Sequence, residues 1–257
     1  MTEDKDDLRS ELKESKAEIE RLGGVSSLWK GHWLVELVQR SFRNYSERAT
    51  AEYFKQKYPS QSNEAIAKKL TKVACKNAAW LGGLTGLAVS ADEIVAVATG
   101  GEGGVGLPAN LAIFATAAFT EAYVLVKIQV QLVANLSKLY GAPLDPDDPE
   151  DIHTILEYAF GGVVSEYLGT LTAKAAKGAT KGAVRKYLSG ETLQTIQKLA
   201  RRIGVKLLQR TVLKYTLPAV SVLAGSSWNY YATKAVGKRA EGGFSKRATI
   251  DAASAND

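Results

Sequence analysis

Glu121 is the side chain best placed to do chemistry. It stands inside the apolar run ATAAFTEAYVLVKIQVQLVANL, and Gln129 follows eight residues later, about two helical turns on and on the same face. A carboxylate carried into an apolar helix costs several kcal/mol unless it is paired or protonated. Three readings stay open: Glu121 lies on a wet face, is paired within the core, or is a functional acid with Gln129 and Asn229 as companions. Other chemistries find little support. Cys75 has Lys72 and Lys76 nearby but no obvious base, and His153 with Glu157 makes at best a two-ligand pair, so neither a metal nor a cofactor is expected. G-x-S-x-G, H-E-x-x-H and the P-loop are absent. Gly101–Gly106 formally matches G-x-G-x-x-G, yet no second strand follows to complete a βαβ unit, which makes it a glycine loop between helices.

A second pattern could bind rather than react. Lys174, Lys177, Lys181 and Arg185 fall at helical steps on an otherwise Ala/Gly-rich segment, and Lys234, Lys238 and Arg239 repeat the basic character near the end. Such stripes serve as solvated faces. They also attract anionic lipid head groups, at roughly 1 kcal/mol per Lys or Arg near the surface, or phosphate in nucleic acid. No recognised DNA- or RNA-binding motif accompanies them, which makes nucleic acid an unlikely partner.

The elements that must carry these residues are helical. No alternating strand and no hairpin turn is found. Leu8, Leu12, Ser15, Ile19 and Leu22 keep 4-3-4-3 spacing, a lead-in helix with a possible protein partner along residues 5–22. Trp29 to about Lys57 reads as one amphipathic helix, and a further helix starts at Glu64. Pro108 opens a long helix that Tyr140-Gly141 ends. Residues 163–188 and 191–208 read as helices, and Pro218 opens a last one through about Lys238. The expectation is all-α: a single compact domain of about eight helices with Gly/Ala-rich core helices. Residues 1–24 are expected as a charged helical extension, 25–241 as the domain and 242–257 as a flexible tail.

Charge divides unevenly along these elements. The net +6 is the sum of a neutral segment 1–57, a −6 segment 58–171, a +14 segment 172–247 and two final acids. The N-terminus lacks the apolar region of a signal peptide, and one Cys excludes a disulfide framework, so a cytoplasmic location is expected. Gly103–Thr120, Tyr215–Thr233 and Asn77–Ala91 approach but do not reach the ~20 apolar residues of a span. A mean hydropathy of −0.11 fits buried core helices better than a polytopic membrane protein.

Two segments resemble the EcsC protein family of bacteria. One is Gly106-Leu107-Pro108 with its long helix holding Glu121 and Gln129, then Leu139-Tyr140-Gly141 and an acidic Pro/Asp loop. The other runs from Leu217-Pro218 through Gly225, Trp228-Asn229-Tyr230 and Thr233-Lys234 to Gly237-Lys238-Arg239. Glu121 stands where the family usually has Asp. The resemblance covers roughly residues 65–245. It implies a helical, membrane-associated protein linked to transport and envelope processes, with no secure catalytic activity. The combined expectation is a non-enzymatic protein, peripheral on the inner membrane face, binding anionic lipid or an apolar ligand through Lys174, Lys177, Lys181, Arg185, Lys234, Lys238 and Arg239. The alternatives are a hydrolase using Glu121 and a membrane-inserting toxin or pore former.

Overall fold

The structure, a computed structural model, describes residues 3–23, 32–46, 50–88, 107–148, 151–161, 198, 201–203, 206 and 221–254. The fold is all-α and forms one domain, with no strand among the described residues. Its helices are α1 (Glu3–Arg21), α2 (His32–Ser46), α3 (Ala51–Lys57), α4 (Asn63–Ala88), α5 (Leu107–Leu139) and α6 (Ser221–Ser254), with a further helical segment over 151–161.

α5 is the axis of the packing, touching α1, α2, α3, α4 and α6. Its sequence is apolar nearly all round, as a helix surrounded by others must be. Phe119, Tyr123, Val126, Val130, Val133 and Leu136 are all buried along it. The helix stops where Gly141 takes a left-handed φ of +69°, and the Ala142 amide reaches back to the Ser137 carbonyl at 2.8 Å, satisfying an end carbonyl.

Three elements differ from the sequence reading. The expected single helix from Trp29 to Lys57 is interrupted, because the Thr50 hydroxyl accepts from the Tyr53 amide and caps a new helix, α3. The expected tail from residue 242 is instead helical through Ser254, anchored by Phe244, which is fully buried and meets the Tyr158 ring edge-on at 4.9 Å. The lead-in helix α1 is built into the domain, with Ile19 in the main core and Leu12 packed on a second cluster of Ala78, Leu81, Val124 and Leu125. The buried stripe of Ser15 and Ile19 follows the heptad register expected of it.

α4 and α6 pack antiparallel and unusually close. A Cβ on Gly82 would stand 2.7 Å from the Gly225 carbonyl oxygen, and one on Gly237 would stand 2.5 Å from the Thr71 side chain. Small residues make this possible: Gly225, Asn229, Thr233 and Gly237 fall at four-residue steps on α6, and the two ends of that row meet Gly82 and Thr71 on α4.

Candidate functional site

The close α4–α6 contact frames a buried polar seam against α5. Glu121 and Gln129, two turns apart on α5, both turn toward α6. Glu121 is 1% exposed, and the Asn229 amide donates to its Oε1 at 3.0 Å. The Gln129 amide donates to the Thr233 hydroxyl at 3.4 Å. Asn229 and Thr233 are four residues apart and both fully buried, so each of α5 and α6 lends two polar groups from one face. Glu121 therefore does not lie on a wet face and is paired within the core. Of the three residues singled out as a possible acid site, Glu121 and Asn229 meet, whereas Gln129 stands two turns along α5 and meets Thr233 instead. The signal for Thr233 was in the sequence as the i+4 neighbour of Asn229.

This seam is shut. Ala122, Val124 and Leu125 pack beside Glu121 on its own helix, and the Asn229 amide lies where any side chain on Gly82 would collide. Cys75, also buried, has its thiol pushed up from an ordinary 9.0 to about 11 by burial, against the opposing pull of the Lys234 charge. A thiol held protonated in this way is a packing group rather than a nucleophile.

Outside the seam, the two helices present a basic surface. The antiparallel register puts Lys72 and Lys76, which flank Cys75, level with Lys234 and Lys238, and all four are exposed. Lys234 stands close enough to act on the Cys75 thiol. Two large rings lie open on the same helix, Trp228 at 54% and Tyr231 at 66% exposure, and Tyr230 stacks edge-on with Tyr231 at 5.5 Å, with the Lys234 ammonium 6.0 Å from its centroid. Arg239 departs from the expected stripe. Its guanidinium donates to the backbone carbonyls of Tyr158 at 3.0 Å and Ala159 at 3.3 Å, so it ties α6 to the segment 151–161, and partial burial lowers its pKa. Lys174, Lys177, Lys181, Arg185 and the glycine motif at 101–106 lie outside the described residues.

Among the described residues, no group of three or more His, Cys, Asp or Glu side chains is placed to hold a metal ion, and no helix is long and apolar enough to cross a membrane. Beside Lys234 and Lys238, which the sequence singles out, Lys72 and Lys76 of α4 and Trp228 and Tyr231 of α6 are also exposed. Their relative placement depends on how α4 and α6 pair, which only the glycine and threonine spacing hints at. Compared with known proteins, the chain matches no family model, no curated protein and no solved structure.

Proposed function

We propose that the protein is a non-enzymatic, peripheral membrane protein that docks on an anionic lipid surface through the outer face of α4 and α6. The observation that carries this reading is that Lys72, Lys76, Lys234 and Lys238 are exposed on the two packed helices that also expose Trp228 and Tyr231. Lysines meet the negative surface at roughly 1 kcal/mol each. Trp and Tyr, with an apolar body and a polar tip, favour the head-group zone. The resemblance to the EcsC family supports the same reading, and with it a bacterial, cytoplasmic protein on the inner membrane face that assists transport or envelope processes.

Vesicle flotation tests this. Wild type is expected to float with vesicles of phosphatidylglycerol and phosphatidylcholine and not with phosphatidylcholine alone. Lys234→Glu/Lys238→Glu is expected to weaken binding by about 100-fold or more, since each reversal removes one attraction and adds one repulsion. Equal binding to neutral vesicles, or indifference to the reversal, sinks the proposal.

The hydrolase alternative requires water and substrate at Glu121, a residue that is 1% exposed. The pore-forming alternative requires helices that enter the bilayer, and no helix among the described residues is long and apolar enough to cross one.

A further inference from the structure

α1 is the most highly charged of the described helices, with eight acidic and five basic residues in EDKDDLRSELKESKAEIER. Its attachment is correspondingly thin. Ile19 enters the main core, while Leu12 and Leu22 are only half-buried at its margins. Among the described side chains, polar contacts complete the hold: Glu11 pairs with Lys127 of α5, Glu18 pairs with Arg40 of α2, and the Tyr123 hydroxyl also bonds to Glu18. Both ion pairs are partly open to solvent, where salt screens them.

The same junction carries unmet polar groups. Ser15 occupies a core slot of the α1 stripe at 1% exposure, and its hydroxyl has no hydrogen-bond partner. On α2, which the Arg40–Glu18 pair ties to α1, the Trp33 indole N–H and the Ser41 hydroxyl are buried in the same unpartnered condition. A buried polar group without a partner favours any state in which water reaches it. Beneath α1 lies an apolar strip in which Leu125 of α5 packs with Leu81 of α4, and Leu81 adjoins Trp80, already 37% exposed.

We infer that α1 is a displaceable strap, which in its closed position covers the apolar strip of Leu81 and Leu125 and which lifts when the protein meets an anionic surface. The second half rests on the proposed membrane reading. An excess of acid makes α1 a poor neighbour for anionic lipid, while the strip it uncovers adds apolar area next to Trp80. Docking and strap release then favour one another, because a negative surface destabilises the closed position that hides the strip.

Amide hydrogen exchange on the full chain without lipid tests the strap by itself, read over α1 and over residues 119–136 of α5. The expected result is exchange in α1 at least about tenfold faster than in α5, faster still in Lys127→Gln, and slower by about tenfold in Ser15→Ala, which deletes the orphaned hydroxyl without adding bulk. Protection of α1 equal to that of α5, unmoved by either substitution, overturns the strap. Flotation on vesicles of phosphatidylglycerol and phosphatidylcholine tests the coupling. Lys127→Gln is expected to float in larger fraction than wild type even though it removes a positive charge, and Ser15→Ala in smaller fraction. If exchange responds as expected but these variants float alike while Lys234→Glu/Lys238→Glu fails to float, the coupling is overturned. If exchange responds and wild type does not bind vesicles at all, the membrane reading falls and the strap stands alone.

Discussion

The seam between α4, α5 and α6 and the junction of α1 and α2 with α5 both bury polar groups and are built in opposite ways. At the seam, small residues bring two backbones together, and the polar groups turned toward α5 have partners, Asn229 on Glu121 and Gln129 on Thr233, while Thr71 at the Gly237 end keeps one hydroxyl without one. At the junction, large rings fill the space, with Trp33 edge-on to Phe119 at 5.4 Å, while Ser15, Ser41 and the Trp33 N–H go without partners and ion pairs at the rim complete the hold. Burial alone therefore does not rank the two. A close, satisfied contact resists change at every atom, whereas a contact with unmet donors has a lower cost of opening.

The largest effect is expected where the seam has no room. In Gly82→Ala the new Cβ meets the Gly225 carbonyl at 2.7 Å and 2.8 Å, both backbone atoms that cannot rotate away. The gain in helix propensity, about 1 kcal/mol, is smaller than the overpacking cost of about 1–3 kcal/mol or more, and Gly82→Val should be worse. Gly242→Ala is the control, since nothing lies within 4 Å of its Cβ and α6 is helical there. That variant should be more stable than wild type by up to about 1 kcal/mol. Thermal or denaturant unfolding of the two reads the difference, and a Gly82→Ala protein as stable as wild type would refute the tight contact.

Next comes the polar pairing inside the seam. Asn229→Ala removes a hydrogen bond to a buried carboxylate and is expected to cost about 2–3 kcal/mol. In Glu121→Leu/Asn229→Leu both polar groups go together, and the loss should be smaller than the sum of the two single changes. A double-mutant cycle that closes additively would mean that Asn229 and Glu121 do not act as a pair.

Cys75 offers a titration of the same region. Its thiol is held protonated by burial, so the folded state keeps the proton to a higher pH than the unfolded chain does. The contribution is therefore fully present below about pH 9, is lost progressively as pH rises to about 11, and amounts to on the order of 2 kcal/mol. Cys75→Ala should flatten the alkaline fall in stability across that window. An unchanged pH profile would show that the thiol meets water.

How much of this could be read from the residues follows the same divide. The long helix from Pro108 to Leu139 was legible because Pro and Gly141 mark its two ends, and the Ser15–Ile19 stripe because its spacing is helical. Glu121, Gln129 and Asn229 could be picked out one by one, since polar groups in apolar runs demand partners. Their mutual contacts could not, because α5 and α6 are about a hundred residues apart in sequence and only the glycine register fixes which turns meet. Where a local signal misled, a single hydroxyl decided: Thr50 caps α3 and so divides a helix that periodicity alone would have continued.

The smallest expected effect belongs to α2, and it carries the comparison to its end. Ser41 is buried against α5's surroundings with a hydroxyl that finds no acceptor. At Asn229, deleting a polar group loses a bond; here it loses only a desolvation cost, since there is no bond to break. Ser41→Ala should therefore be neutral or more stable than wild type by up to about 1 kcal/mol, the reverse of Asn229→Ala. Unfolding curves for the two variants give the sign directly. A clear loss of stability in Ser41→Ala would place an ordered water or an unseen acceptor at that hydroxyl, and the junction would then be satisfied at Ser41 as the seam is at Asn229.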